Sequence, residues 1–271
     1  MEFKELQKII QKTFDTVAQS YDQPASQFFP ASAAHLIRYL APQAGEQILD
    51  VATGTGNVAL AIAASHPKTT VTGIDFSEQM LATAKSKAKQ ADINNVSFKH
   101  KEMTQLDLPA HYFDAASCGF GIFFLEDMVQ GMQAIRQTLK TDGRLVVSSF
   151  YQDSFSPLTE LFAERIESYG IELPKQLWQR ISTEKTMSEL FKDSGFGSVS
   201  VHVEDVSYYV KSSEQWWDIL WNAGYRGLLN QLTGEQLQQF KQDHLADIAQ
   251  HITDKGLYIQ VKTVFGVGVK Q

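Results

Sequence analysis

A single cysteine, Cys118, stands among 271 residues, so no internal disulfide can form. Positive charge is scarce: 24 Lys and Arg against 31 Asp and Glu leave a formal net charge of −7. Such a field does not attract phosphate backbones, and the local basic run Lys85, Lys87 and Lys89 falls on one expected helix, so nucleic acid is not an expected partner. Long apolar runs are missing as well. The longest, VALAIAA over 58–64, has core-helix length and falls far below the roughly 20 residues that cross a bilayer. The opening MEFKELQKIIQKTF lacks the continuous apolar segment of a secretory signal, and a cytoplasmic location is expected. Repeats and low-complexity tracts are absent too. What remains is a chain with 43% hydrophobic side chains, enough for one sizeable core with appended elements.

Short β-branched or apolar runs alternate with helical stretches: EQILDV, then 57–65; TTVTGID, then 77–91; VSFKH; FDAASCGF, then 126–140; GRLVVSSF. This rhythm predicts an α/β fold, a mostly parallel sheet with helices on both faces. After Phe150 the pattern changes. Residues 151–194 read as helical with breaks at Pro157, Gly170 and Pro174, and then VSVHVEDVSYYV and LYIQVKTVFGVGV read as two long strands, expected to pair antiparallel at one sheet edge. Between them, 213–253 form a helical insertion. At the other end, Phe3, Leu6, Ile9, Ile10, Phe14 and Val17 follow helical spacing. That helix either packs on the core or, with Ser20-Tyr21-Asp22 directly after it, forms a lid over a site.

The strongest local signal runs from Ile48 to Leu60: an apolar strand, the turn Ala52-Thr53-Gly54-Thr55-Gly56, then an apolar helix. Gly54 and Gly56 would let the backbone approach a ligand closely, while the free N–H groups of the helix turn toward it. About 20 residues later the next strand ends at Asp75, where an acid can accept hydrogen bonds from a ribose diol. Gly54-Thr55-Gly56-Asn57-Val58-Ala59 also satisfies the dinucleotide pattern, so an NAD(P)-dependent oxidoreductase is an alternative. Against it, Asp50 would repel a pyrophosphate but suits an ammonium group. The only Tyr-x-x-x-Lys pair, Tyr258 and Lys262, falls in an expected strand, where four residues span about 13 Å and the two cannot cooperate.

Leu49-Asp50-Val51-Ala52-Thr53-Gly54-Thr55-Gly56 resembles motif I of class I S-adenosylmethionine-dependent methyltransferases, with Ala52 where many members have glycine. Gly73-Ile74-Asp75-Phe76-Ser77-Glu78-Gln79-Met80 resembles their second motif. Lys101-Glu102-Met103 before Leu108-Pro109 resembles the third, and Phe113 to Phe120 the fourth strand, whose end faces the methyl donor. The likeness covers about residues 45–150. Phe14-Asp15-Thr16-Val17-Ala18-Gln19-Ser20-Tyr21-Asp22 and Phe120-Gly121 are loosely similar to the ubiquinone and menaquinone biosynthesis C-methyltransferases. The resemblance implies a Rossmann-like class I methyltransferase fold: a seven-stranded mostly parallel sheet with one antiparallel edge strand and helical cap insertions. It implies residues 1–40 as the helical lid and 41–271 as the core, with insertions at about 151–190 and 207–256.

The resemblance further implies S-adenosyl-L-methionine as cofactor, S-adenosyl-L-homocysteine as product, and a donor site of Tyr21, Asp50, Ala52, Gly54, Gly56, Asp75, Phe76, Met80, Glu102, Met103, Cys118 and Gly119. Asp75 would take the ribose hydroxyls and Glu102 the adenine amino group, with Met103 offering its backbone N–H. Methyl transfer is an in-line displacement in which a dedicated base is optional. If one exists, His100, Tyr21 and Asp22 are the candidates. His244 and His251 lie two helical turns apart, about 10 Å, too far to share a metal, and no metal is expected. Phe120, Phe123, Phe124, Trp217, Trp221, Tyr225 and Arg226 either pack the insertion or line an acceptor pocket with one polar hook. The expected substrate is a small, aromatic or partly hydrophobic acceptor; a non-catalytic cofactor-binding module acting as a partner subunit is the other reading, and a homodimer is left open.

Overall fold

The structure, a computed structural model, describes residues 3–173 and 176–271; the side chain of Phe3 and the break expected at Pro174 lie outside the described residues. Two helices, α1 (Phe3–Val17) and α2 (Phe28–Leu40), precede β1 (Gln47–Val51), α3 (Asn57–Ser65), β2 (Thr70–Asp75), α4 (Glu78–Gln90), β3 (Val96–His100), β4 (Phe113–Gly119), α5 (Met128–Thr138) and β5 (Leu139–Phe150). After these come α6 (Leu158–Ser168), α7 (Glu184–Asp193), β6 (Gly197–Asp205), β7 (Tyr208–Val210), α8 (Ser213–Trp221), α9 (Arg226–Leu229), α10 (Gly234–Ala249), β8 (Ile252–Thr253), β9 (Gly256–Ile259) and β10 (Lys262–Val269).

Seven strands form one sheet in the order β3-β2-β1-β4-β5-β10-β6. The central strands are parallel and covered on both faces, which is why they read as continuous apolar runs: Ile48, Leu49 and Val51 are all fully buried. Their register sets Asp50 beside Gly73 on one side and Ser117 on the other. The one antiparallel strand is β10, hydrogen-bonded between β5 and β6, so it lies one place in from the edge. This is the seven-stranded, mostly parallel sheet of the class I fold.

The two long strands expected after Phe150 each divide. Val206 donates its N–H to Val261 O at 2.9 Å, and the Ser207 hydroxyl takes the place of a ladder partner, accepting from Val261 N at 3.0 Å. With backbone polar groups satisfied by a side chain, the ladder can end there without an orphaned donor. Beyond the break, β7 and β9 leave the main sheet and join β8 in a separate three-stranded sheet. That small sheet, α6, α8 and α10 enclose a second core around Phe162, Trp216, Phe240, Ile248 and Leu257. At its centre Trp216 Nε1 donates to His244 Nε2 at 2.9 Å, both residues being fully buried. Burial, reinforced by nearby Arg165, pushes the His244 imidazole down to about 4.

Helix α1 and the turn after it run along α4, from the residues just before that helix to Lys87 near its end, through polar contacts at helical intervals. Gln11 Nε2 donates to Phe76 O (3.0 Å), Asp15 accepts from Ser77 Oγ (2.5 Å), Ala18 O accepts from Thr83 Oγ1 (3.1 Å), and Asp22 pairs with Lys87 Nζ (2.9 Å). The apolar stripe of the helix supplies buried Val17 and half-buried Phe14, packed with Tyr21 and Met80. On its other side α9 comes close enough that a Cβ at Gly227 would sit 2.9 Å from Thr13 Oγ1.

Candidate active site

The chain leaves β1 through three residues with left-handed backbones: Ala52 (φ 54°), Gly54 (φ 54°) and Gly56 (φ 84°). At Ala52 the side chain makes this conformation cost on the order of 1 kcal/mol, a strain that persists because strands on both sides hold the turn. A Cβ on Gly54 would meet no atom within 4 Å, so this stretch of backbone is open. Its N–H donates to Asp75 Oδ2 at 2.8 Å, and Ser77 N donates to Asp75 Oδ1 at 2.9 Å. Burial raises the Asp75 carboxyl above its usual range, while those two amides work to hold it ionised. Asp50 lies one strand over, fully enclosed, with Thr53 Oγ1 donating to one oxygen at 2.6 Å and Ser117 Oγ to the other at 2.7 Å. Desolvation outweighs these bonds and raises Asp50 to about 6.

Above this turn is a cavity of about 440 Å³. Of the residues expected from sequence, Tyr21, Asp50, Ala52, Gly54, Asp75, Phe76, Met80, Glu102, Met103, Gly119, Phe120 and Phe124 all line it. Aromatic rings form a continuous arc along its walls: Phe14 edge-on to Phe124 at 5.4 Å, Tyr21 against Phe29 at 5.0 Å, and Phe29 edge-on to Phe120 at 5.6 Å. Tyr21 is enclosed enough that burial and the neighbouring Asp22 raise its hydroxyl well above its ordinary value, so it stays protonated.

Several expectations are corrected. Gly56 does not line the cavity; it caps α3, and a Cβ there would press on Leu60 and Ala84 at 3.0–3.2 Å, so the glycine serves close packing. Cys118 is fully buried among Leu49, Val51 and Ile122, because strand alternation sends its side chain to the face opposite that of Gly119; burial pushes its thiol up to about 12. His100 is half-exposed outside the cavity, its Nε2 against Phe76 O at 2.9 Å and its Nδ1 near Glu78 at 3.4 Å. Asp22 is taken up by Thr55, Asn57 and Lys87, which leaves it tying the end of α1 to the glycine turn rather than acting as a base. Phe123 is buried beneath the wall that Phe124 forms.

The aromatic helix faces elsewhere. Trp217 stacks on Trp221 with ring centres 5.8 Å apart, the Arg226 guanidinium lies 3.5 Å over Trp221, and Tyr225 meets Phe162 edge-on at 4.9 Å. All four belong to the second core or its border, and none lines the cavity. The wall they were expected to supply comes instead from α2, through Phe29, Ser32, Ala33 and Leu36. Sequence reading passed over α2 because its stripe resembles that of any core helix. It also missed Ser117 and Ser148, since a serine inside an apolar strand carries no local pattern.

Strand, open glycine turn and doubly hydrogen-bonded acid, set under an aromatic-walled cavity at the carboxyl ends of a 3-2-1-4-5 sheet, define a Rossmann-like methyltransferase. The chain belongs to the ubiE/COQ5 methyltransferase family, whose sequence model matches residues 1–206. Demethylmenaquinone methyltransferase of Listeria welshimeri is 26% identical over 70% of this chain and 88% of its own length. The ubiquinone/menaquinone biosynthesis C-methyltransferase UbiE of Bdellovibrio bacteriovorus is 30% identical over 59% of this chain and 70% of its own. In fold, the chain matches the Haemonchus contortus phosphoethanolamine N-methyltransferase 2 in complex with S-adenosyl-L-methionine. There the TM-score is 0.58 at 18% identity, covering 100% of this chain and 60% of that one. The enzyme is therefore an S-adenosylmethionine-dependent methyltransferase, and neither the oxidoreductase nor the non-catalytic module applies. The residues present suit that donor. The Asp75 carboxylate lines the cavity as an acceptor held by backbone amides, and the backbone at Gly54 offers an uncovered approach.

Proposed function

We propose that the enzyme methylates a ring carbon of an apolar, electron-rich aromatic acceptor of the hydroquinone type. The observation that carries this reading is the chemistry of the cavity wall formed by α2 and the ends of β4 and β5. Phe29, Ala33, Leu36 and Phe120 supply its surface, Ser32 and Ser148 are its only side-chain polar groups, and it carries no carboxylate or imidazole among the described residues. A nucleophile held there must arrive already activated, as a ring carbon ortho to an electron-donating hydroxyl does. The quinone-pathway names of the relatives support the same class of acceptor.

In this reading Tyr21, Asp50, Ala52, Gly54, Asp75, Phe76, Met80, Glu102, Met103 and Gly119 hold the donor, and Phe120 and Phe124 face the acceptor. S-adenosylmethionine supplies a methyl group on a sulfonium, activated for displacement. Transfer would break the donor's S–CH3 bond, form the ring carbon–CH3 bond, and release S-adenosylhomocysteine and the displaced ring proton to solvent. The protein's part is to align the two partners, which oriented contact in a confined site can accomplish. Residues 1–40 act as the lid, α1 carrying Phe14 and the turn after it carrying Tyr21 over the cavity. No helix among the described residues is long and apolar enough to cross a membrane, and we place the enzyme in the cytoplasm.

Tritiated-methyl S-adenosylmethionine and 1,4-naphthohydroquinone, mixed anaerobically, test the proposal. Label is expected in a ring-methylated product; transfer to oxygen only, or no transfer to any dihydroxyarene, would defeat it. Donor affinity should also depend on pH through Asp50. Its pKa of about 6 without ligand must fall when a cationic donor binds beside it, so binding releases a proton below that pH. Calorimetry should then show affinity weakening as pH drops from 7 to 5, approaching tenfold per unit below 6, with the dependence flattened in Asp50→Asn.

A further inference from the structure

Five buried side-chain atoms lack a hydrogen-bond partner among the described residues: His35 Nδ1, Arg136 Nε, Arg165 Nε, His244 Nδ1 and Ser148 Oγ. Only Ser148 lines the cavity. It is 1% exposed, two residues before the end of β5, and its backbone is anchored on both sides: it pairs with Gly119 of β4 and with Phe265 of β10, and its carbonyl accepts from Phe120 N at 3.1 Å. The hydroxyl therefore has a fixed origin. The lining hydroxyl from α2, that of Ser32, is satisfied by Thr263 at 2.9 Å, whereas the Ser148 hydroxyl is the one fully buried lining hydroxyl without a protein partner among the described residues.

Gly119 shows where that hydroxyl points. A Cβ built on this glycine would sit 3.7 Å from Ser148 Oγ, 3.6 Å from Leu36 Cδ1 and 3.7 Å from Val58 Cγ2. These are ordinary contact distances, so the missing side chain leaves a slot walled by two aliphatic groups and one hydroxyl. A buried hydroxyl with no partner is unfavourable because its lost hydration is not replaced, and a ligand oxygen entering the slot would restore that bond.

We propose that Ser148 is a positioning residue that donates a hydrogen bond to an oxygen substituent on the acceptor ring, fixing which ring carbon faces the methyl donor. The assignment rests on the reading of the site as one for a hydroxylated aromatic acceptor. It concerns selectivity among ring positions, and the donor site does not require it. A ring without an oxygen at that position would leave the hydroxyl unpaired and be rejected, as sites built around a polar contact reject analogues that lack it.

Ser148→Ala tests this because it removes the hydroxyl with the least change in volume. Three measurements on wild type and variant are needed: thermal unfolding, calorimetric binding of S-adenosylhomocysteine, and binding and methylation of 1,4-naphthohydroquinone by the S-adenosyl-loaded forms. The expected result is an unchanged or higher Tm, since an unpaired buried group is lost, and S-adenosylhomocysteine affinity within twofold of wild type. Hydroquinone binding and KM should weaken about tenfold or more, with kcat reduced less. Because C2 and C3 of that symmetric ring are equivalent, the choice of position is read on methyl-1,4-benzohydroquinone, which should give a second positional isomer with the variant. A Tm lowered by several degrees would make Ser148 structural, and lost S-adenosylhomocysteine binding would put it in the donor site; either overturns the assignment. Equal hydroquinone binding by both forms overturns it as well. If wild type binds the hydroquinone without methylating it, the function proposed above fails while the role of Ser148 in binding stands.

Discussion

Asp75→Ala should abolish S-adenosylmethionine binding measurable by calorimetry, a loss of at least 100-fold, with NAD and NADP binding to neither form. Hydrogen bonds from a ribose diol to a charged acceptor contribute roughly 1.5–3 kcal/mol each, so losing two accounts for a factor of 100 or more. The substitution also strips the acceptor from Gly54 N and Ser77 N, which the carboxylate now holds at 2.8 and 2.9 Å, so the glycine turn loses its tie to β2. Asp75→Asn separates the two effects. Its amide oxygen can keep one backbone N–H, so the turn should survive while donor affinity still falls by tenfold or more. Binding by Asp75→Ala within threefold of wild type would remove the carboxylate from the donor site.

Trp216→Ala should be the most destabilising single change outside the main sheet, at about 3–5 kcal/mol, because it empties a fully buried site and leaves His244 without its donor. For a chain of this size that is a fall in Tm on the order of 10 °C. Donor affinity should change little, since Trp216 lies in the second core and not on the cavity wall. The same pair has a pH signature. His244 is held at about 4 when folded, against about 6.5 when unfolded, so its contribution is full above pH 6.5 and is lost as pH falls toward 4. Asp50, raised to about 6, acts in the opposite sense, adding stability as pH falls from 6 to 4, so wild type partly conceals both effects. Denaturant titrations of wild type and His244→Gln should isolate the histidine: relative to the variant, wild type should lose about 1.4 kcal/mol per pH unit between 6 and 4. Parallel curves would place His244 in a wetter environment than this core provides.

The donor half of the site could be read from sequence because its parts are close along the chain and each has a local cause. A strand must end, a turn must accept left-handed backbone, a helix must start, and the next strand must end in an acid: Ile48 to Leu60 and Gly73 to Asp75 satisfy each requirement within 28 residues. Chain order also sets the parallel sheet as far as β5, since right-handed crossovers leave few alternatives.

Contacts between segments distant in sequence were not legible. Whether VSVHVEDVSYYV stays in one sheet depends on Ser207 meeting Val261, 54 residues away. Trp217, Trp221 and Tyr225 share a helical face, but that face can cover any apolar surface, and it was the core with Phe162 and Phe240 that claimed it. Cys118 and Gly119 are adjacent in the chain, yet the pleat sends one into the core and leaves the other beneath the cavity. The sequence by itself determined the fold class, the donor and the acid proposed to receive it, because propensity and spacing act over a few residues. Only the tertiary structure decided which side chains form the apolar wall assigned to the acceptor and that the Ser148 hydroxyl lies buried there without a protein partner, because burial and hydrogen-bond satisfaction depend on neighbours that the chain brings together only when folded.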